Sequence, residues 1–376
     1  LDVGRGVAAG WVAVEMICLS MIVKDEAEVI ARCLTSVRPF IDSWCIVDTG
    51  STDGTREIIC ALMHDVPGVL HDRPWQNFGA NRTEALALSF ESGADYALVN
   101  DADDVLEPRD GFVMPPLTAP TYALRVEHGG VAHYRPQLFR RDAGYRYEGV
   151  VHEYATNGTY EEPPVLGGLV CRVVGGGARS RVSEEEKFLR DAKVLRAALV
   201  KDPTNARYVF YLAQSYRDAG RLPAAIASYE RRAGMTNGFY EEVFVSLLEI
   251  ARARVKLSAP EHEIVASYMR AFEKAPHRAE PLFELARYFR SKDRFAAAYV
   301  YAKACVEIPR PPDRLFVNDS VYEWAALDEF AINAFYVRDF DAGTRANESL
   351  LANALMPESE RPRIEKNLEF CRARSY

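Results

Sequence analysis

Cysteine is scarce and unpaired: seven residues, at 18, 33, 45, 60, 171, 305 and 371, an odd number with no C-x-x-C spacing. Most lie in apolar stretches, where a free thiol packs as a small hydrophobe, so a reducing, cytoplasmic compartment is expected. Long hydrophobic runs are missing as well. No stretch approaches 18 consecutive apolar residues, and the opening LDVGRGVAAGWVAVEM has too short an apolar segment and too little positive charge for a signal peptide. A soluble, non-secreted protein without a transmembrane segment is expected. Met16 stands directly before the first strong strand, so residues 1–15 read as an N-terminal extension with no structural part. Positive charge is in deficit too. The formal charge is -8, with 15 Lys+Arg against 25 Asp+Glu in residues 1–180 and 31 against 29 in the remainder. An acidic first half is a poor general surface for a phosphate backbone, which leaves nucleic acid a minor option.

What is present is ordinary for a soluble globular protein: 48% apolar and 27% charged residues, with 20 Pro and 23 Gly, which excludes wholesale disorder and collagen-like repeats. At 376 residues the chain exceeds what one core usually serves, so two domains are expected.

From residue 16 to about 100, short apolar runs alternate with helix-spaced segments, the pattern of a parallel α/β sheet. MICLSMIV (16–23) reads as a buried strand. Asp25 with Glu28 three residues on predicts a capping box for a helix carrying Val29, Ile30, Cys33, Leu34 and Val37, which Pro39 stops. SWCIVDT (43–49), GVLHD (68–72) and DYALVN (95–100) are further strands, and REIICALM and residues 80–92 further helices. TYALRVE (121–127) and AHYRPQLFRR (132–141), joined by Gly129-Gly130, read as a hairpin that turns the sheet mixed. Residues 161–178, with two Pro and five Gly, read as loop and domain boundary.

Beyond Ser183 the pattern is helical and repeats. Leu212, Ala213, Tyr216, Gly220, Ala225 and Tyr229 have the spacing of small and large packing residues on two antiparallel helices; Leu285, Ala286, Phe289 and Ala298 repeat it 73 residues later. Leu247, Leu248 and Ala251 fit a middle copy with a lengthened turn at Pro260. A degenerate fourth copy and a closing helix, IEKNLEFCRARS, follow. The expected division is 1–15 extension, 16–178 α/β domain, 179–202 linker helix and 203–376 an all-α, tetratricopeptide-like repeat domain.

Chemistry concentrates at strand ends. Asn100-Asp101-Ala102-Asp103-Asp104 follows an apolar strand, and alternation at a strand end would aim Asp101 and Asp103 to one side, toward one hard cation. The alternative is a solvated acidic turn. In VDTGSTDGT (47–55), Asp48 ends a strand and can accept from a base or ribose. The small residues after it either present amides to an anion or, as Ser51, Thr52 and Asp53, satisfy free amides themselves. Near the end of this half, YRPQLFRRDAGYRYEGVVHEY (134–154) supplies acid-base candidates. An acid-base step needs a carboxylate or imidazole to accept a proton, with Glu153 the first choice and Glu148 the second. His152 can ligate a metal or touch a diphosphate. Arg135, Arg140, Arg141 and Arg146 form a basic cluster that either meets phosphates or is a solvated face.

LSMIVKDEAEVIARCLTSV, VDTGSTDGT, FGANRTEALAL and LVNDADDVLEP together resemble, in order and spacing, the glycosyltransferase family 2 module with the GT-A fold, a Rossmann-like mixed sheet, over roughly residues 16–155. The arrangement is similar to a subgroup that carries tetratricopeptide-like repeats behind this module, and the strand and loop leading to His152-Glu153 resemble that subgroup's too. The resemblance implies a UDP- or GDP-sugar donor, Mn²⁺ or Mg²⁺, and inversion at the anomeric carbon. By position it places Asp101, Ala102 and Asp103 in the DXD metal-binding motif and Asp48 on the nucleotide. Val23, Lys24 and Asp25 fall where the family contacts the base, largely through backbone, and Arg82 near the donor phosphates, although Arg82 equally suits a surface cation. The expected function is a metal-dependent inverting glycosyltransferase acting on a glycan, peptide or protein acceptor held partly by the repeats. The alternative is a non-catalytic nucleotide-binding interaction protein whose repeats recruit a partner.

Overall fold

The computed structural model describes residues 15–128, 131–159, 161–178, 182–313 and 315–374. The expected extension, apart from residue 15, and the Gly129-Gly130 turn lie outside these. The chain divides into two compact units, Leu1–Val194 and Leu195–Tyr376.

The first unit is built on an eight-stranded mixed sheet in the order β3-β2-β1-β4-β7-β6-β10-β5. β1 (Ile17–Val23), β2 (Ser43–Asp48), β3 (Gly68–Asp72) and β4 (Tyr96–Val99) run parallel; β1, β2 and β4 are buried along both faces, while β3 is the largely exposed edge. Alternation assigns the faces. Ile17, Leu19, Met21 and Val23 of β1 and Tyr96 and Leu98 of β4 pack with α1 (Ile30–Val37) and Ile59 of α2 (Thr55–Leu62). Ala97 and Val99 pack instead with Leu86 of α3 (Phe78–Ser89).

Beyond β4 the sheet turns mixed, as expected: β6 (Thr121–His128) and β7 (Val131–Arg140) pair antiparallel, and β7 runs antiparallel to β4. Two strands of this sheet were not expected. β5 (Asp104–Pro108) starts inside the Asp cluster and pairs with β10 (Val165–Val173), which lies in the segment read as loop. Two of the glycines that suggested a loop, Gly167 and Gly168, sit at an irregularity within β10, where the register to β6 shifts between Val165 and Val170 and Gly168 takes φ +86°, while Gly175, Gly176 and Gly177 follow the strand. A separate two-stranded ribbon, β8 (Arg146–Glu148) with β9 (Tyr154–Thr156), carries the His152-Glu153 turn.

The expected capping box does not form. α1 begins at Ile30, and Asp25 sits at φ +55° with its carboxylate accepting from the Thr52 amide at 2.8 Å.

α4 (Glu184–Lys201) spans the point where the units divide. The second unit is helical throughout: α5 (Ala206–Asp218) with α6 (Leu222–Ala233), α7 (Glu241–Lys256) with α8 (Glu261–Lys274), α9 (Glu280–Arg290) with α10 (Phe295–Val306), α11 (Ala326–Tyr336) with α12 (Phe340–Leu351), then α13 (Arg361–Arg372). These match the four expected copies and the closing helix. Leu212, Ala213, Ala225, Tyr229, Leu285, Ala286 and Ala298 are all buried, the small residues letting paired helices approach. Arg278, fully buried, bonds Glu280 and Asp313 and lies 4.4 Å from the Phe244 ring, tying the long α10–α11 connection onto the repeats.

Candidate active site

Ligands of open parallel sheets bind outside the carboxyl ends of the strands where strand order switches, which here is between β1 and β4. A cleft of about 970 Å³ opens there, bordered by Val23, Lys24, Asp25 and Glu26 after β1, Thr49 after β2, Asp101 and Ala102 after β4, Arg82 on α3, Arg135 on β7, and His152 and Glu153 on the ribbon turn.

Its floor is an ion-pair network. The Arg82 guanidinium bonds Asp101 through Nη2 and Glu153 Oε1 through Nε, the latter at 2.6 Å, so one planar cation holds carboxylates from β4 and the ribbon. Arg135 approaches Asp101 Oδ2 at 3.2 Å from the other side and Asp104 Oδ2 at 2.7 Å. Burial pushes the Asp101 carboxyl upward, but the two guanidiniums outweigh it and hold the group down at about 2. Asp104, buried and beside the Asp101 charge, is pushed upward despite Arg135. Both arginines are displaced upward: burial works against their charge and the carboxylates more than offset it.

The depressed Asp101 value fixes a sign. A carboxyl whose folded value lies below its ordinary 3.8 stabilises the fold above that pH, and the contribution disappears as pH falls toward 2. Metal-free Asp101→Asn is expected to lack this part of the acid limb, on the order of 2 kcal/mol. Chemical denaturation between pH 6 and pH 2 checks it, and coincident acid limbs for variant and wild type would refute the pairing.

α3 and the ribbon are locked together by an approach that only glycine allows. The Gly79 amide donates to the Gly149 carbonyl at 3.1 Å, and a Cβ on Gly79 would stand 2.4 Å from that oxygen. Thr83 and Tyr147 exchange two further bonds, so Arg82 and Glu153 are positioned from one rigid joint.

Several expected residues are placed differently. Residues 101–103 form a turn closed by the Asp104 amide on the Asp101 carbonyl, not a strand continuation, so alternation does not apply. Asp101 and Ala102 border the cleft. Asp103 does not, and its carboxylate lies with that of Glu26 beside Gly177, whose added Cβ would meet each at 3.0 Å. Asp48 is buried, with its carboxylate taken by Ser51 and by Arg56 at 2.7 Å; it shapes the loop, and Thr49 borders the cleft instead. Glu148 is also outside the cleft, 42% exposed and paired with Arg146 and the Tyr154 hydroxyl. The expected basic cluster disperses: Arg140 pairs with Asp142, Arg141 bonds the Ala94 carbonyl, Arg146 holds Glu148, and Arg135 alone reaches the cleft.

The glycine and hydroxyl loop presents no row of amides to an anion. The amides of Asp25, Glu26 and Ala27 donate to Ser51 Oγ, Thr55 Oγ1 and Asp53 Oδ2 at 2.9, 2.8 and 3.0 Å, while those of Ser51, Thr52 and Thr55 go to Asp48, Asp25 and Asp53. The two loops knit each other together, and for Ser51 and Asp53 the reading as amide partners is the one realised.

Sequence reasoning missed Trp75, Phe78, Lys187, Arg190 and Asp191, which border the same cleft. The aromatic pair in the Pro-flanked stretch before α3 was the available signal; the α4 residues had none.

Among the described residues no group of three or more His, Cys, Asp and Glu is placed to hold a metal. A hard cation that keeps waters and phosphate oxygens needs only one or two protein ligands, and of the three expected, Asp101 and His152 border the cleft.

Residues 18–112 match the model of glycosyl transferase family 2. A TPR repeat-containing protein of Synechococcus elongatus is 33% identical over 150 residues, 38% of this chain and 36% of that protein, so the match spans about a third of that relative's length. Among solved structures, BtubC from P. vanneervenii matches with 15% identity and TM-score 0.40, over 53% of this chain and 84% of that one. A tetratricopeptide repeat protein from Parabacteroides merdae matches with 18% identity and TM-score 0.36, over 53% and 77%. Within the first unit, residues 18–112 are therefore similar to glycosyl transferase family 2, and the second unit is a succession of helix pairs.

Proposed function

We propose that this protein is an inverting glycosyltransferase that takes its sugar from a nucleoside-diphosphate donor, UDP- or GDP-linked. The observation that carries the reading is the Arg82 bridge, which brings a carboxylate at the end of β4 and a second on the ribbon turn to one cation at the strand switch. Arg82 and Arg135 flank the place where a departing diphosphate would gain charge, and such fixed cations stabilise the transition state without reorganising. Mn²⁺ or Mg²⁺ on Asp101 and His152, completed by donor phosphates and water, would add Lewis-acid neutralisation of the same leaving group. Val23, Lys24, Asp25 and Thr49 border the side of the cleft suited to the nucleoside.

In the transfer, an acceptor hydroxyl attacks the anomeric carbon, the bond to the diphosphate breaks with its electron pair on the leaving group, and Glu153 takes the hydroxyl proton. The acceptor is a glycan, peptide or protein, and the helical repeats offer a face for an extended chain. Seven free cysteines, six of them buried, support a reducing, cytoplasmic compartment; among the described residues no helix is long and apolar enough to cross a membrane.

One observation favours the competing reading, a nucleotide-binding interaction protein without turnover: both Asp101 oxygens are engaged by arginines and Asp103 does not border the cleft. Thermal shift and nucleotide release with UDP-, GDP-, dTDP- and CMP-sugars plus Mn²⁺ separate the two. One donor is expected to raise the melting temperature and to be slowly hydrolysed. Stabilisation without release by any acceptor mixture would leave the interaction protein, and no stabilisation by any nucleotide would sink both readings.

A further inference from the structure

Beside the large cleft lies a second chamber of about 280 Å³. The two share Trp75, Phe78, Val151, Lys187, Arg190 and Asp191 as a common border. Three segments of the first unit build it: the loop before α3, the ribbon turn two residues short of Glu153, and the N-terminal half of α4. The family 2 match, residues 18–112, ends before the last two of these segments begin.

The chamber's chemistry is specific. Trp75 is fixed by a T-shaped contact with Phe78, centroids 4.7 Å apart at 83°, yet stays 44% exposed. Leaving a large apolar ring both immobilised and open is unfavourable in water, and it suits a ligand with one apolar face. Its polar groups carry both signs. Lys187 and Arg190 supply donors, Arg190 also pairing with Glu186, and Asp191, 6% exposed, supplies acceptors. A pyranose offers C–H groups on one face and hydroxyls, each donor and acceptor, around its edge, and so matches an aromatic platform ringed by mixed charges. The volume lies at the small end of ligand sites, about 300 to 1,000 Å³, which fits one ring.

We propose that this chamber is the acceptor subsite and takes an uncharged, hydroxyl-rich saccharide ring, stacked on Trp75 with its nucleophilic hydroxyl directed past Val151 to Glu153. This rests on the reading of the cleft as a glycosyl-transfer site. In the step it serves, the acceptor O–H bond breaks as its oxygen bonds the anomeric carbon, the proton goes to Glu153, and the nucleoside diphosphate leaves with the electron pair. Trp75 acts as a specificity determinant and Glu153 as the proton acceptor.

Saturation-transfer NMR with the methyl glycosides of glucose, galactose, mannose and N-acetylglucosamine tests it, alongside calorimetry with UDP and GDP plus Mn²⁺. Wild type is expected to saturate at least one glycoside, Trp75→Ala to weaken it by about tenfold or more, and Trp75→Phe to keep most of the affinity. Cooperative unfolding of Trp75→Ala together with retained glycoside binding by Trp75→Phe separates a lost platform from a lost fold. Nucleotide binding without any glycoside signal overturns the subsite and leaves the donor reading standing. So does a glycoside signal indifferent to Trp75→Ala, or an acidic peptide that binds in a Trp75-dependent way where no glycoside does. Absence of nucleotide binding in wild type would fail the donor reading instead.

Discussion

Arg82→Ala is expected to lose turnover and stability together, more than any other single change in the cleft. The side chain is 13% exposed and bonds two carboxylates, Asp101 at 29% and Glu153 at 14% exposure. Truncation leaves Glu153 without the Arg82 bond and Asp101 with Arg135 alone. Removing one partner of a largely buried pair typically costs about 3 to 5 kcal/mol, and the partial exposure of Asp101 argues for the lower end. Transfer should fall by about 10² to 10³, the usual effect of deleting one preorganised charge from a transition state. Arg82→Lys discriminates between the two losses. A lysine restores the charge but not the fork that reaches both carboxylates, so stability should return in part and turnover hardly at all. Chemical denaturation with donor-release kinetics checks both; an Arg82→Ala protein as stable and active as wild type would remove the bridge from the mechanism.

The outline of this molecule was legible because its signals are local. Runs such as MICLSMIV and SWCIVDT have both faces apolar and could only be central strands, and the small-large spacing around Ala213 and Tyr229 is set by two helices touching. What was not legible depends on chain distant in sequence. β10 was read as loop because its glycines could not show that β5 and β6 lie on either side of it. Asp48 looked like a ligand because the sequence does not say that Arg56, the second residue of α2, will claim it. Asp103 looked like the partner of Asp101 on the assumption that β4 continues, whereas the chain turns there to start β5. In the opposite direction, Arg82 and His152-Glu153 are 70 and 71 residues apart, and what joins them is the Gly79–Gly149 contact, invisible until the fold is known.

Glu153→Gln is expected to preserve donor binding and to lower transfer by about 10² to 10⁴, the range a positioned general base contributes. The amide keeps the shape, and its carbonyl oxygen can still accept from Arg82 Nε, so the joint between α3 and the ribbon should survive with an unchanged melting profile. What disappears is a proton acceptor beside the Trp75 chamber. Glu148→Gln is the matched control: that carboxylate is held on the solvent side of the ribbon by Arg146 and Tyr154, and its loss should leave transfer within about twofold. The split between kcat and KM carries the second readout: Glu153→Gln should lower kcat with the donor KM unchanged, and Glu148→Gln should change neither. If the two variants behave alike, the proton leaves by another route and the ribbon turn is only a wall of the cleft. If Glu153→Gln alone loses transfer while nucleotide still binds, the Arg82 bridge is catalytic architecture: the cation that fixes Asp101 at the donor end also fixes the carboxylate that receives the proton.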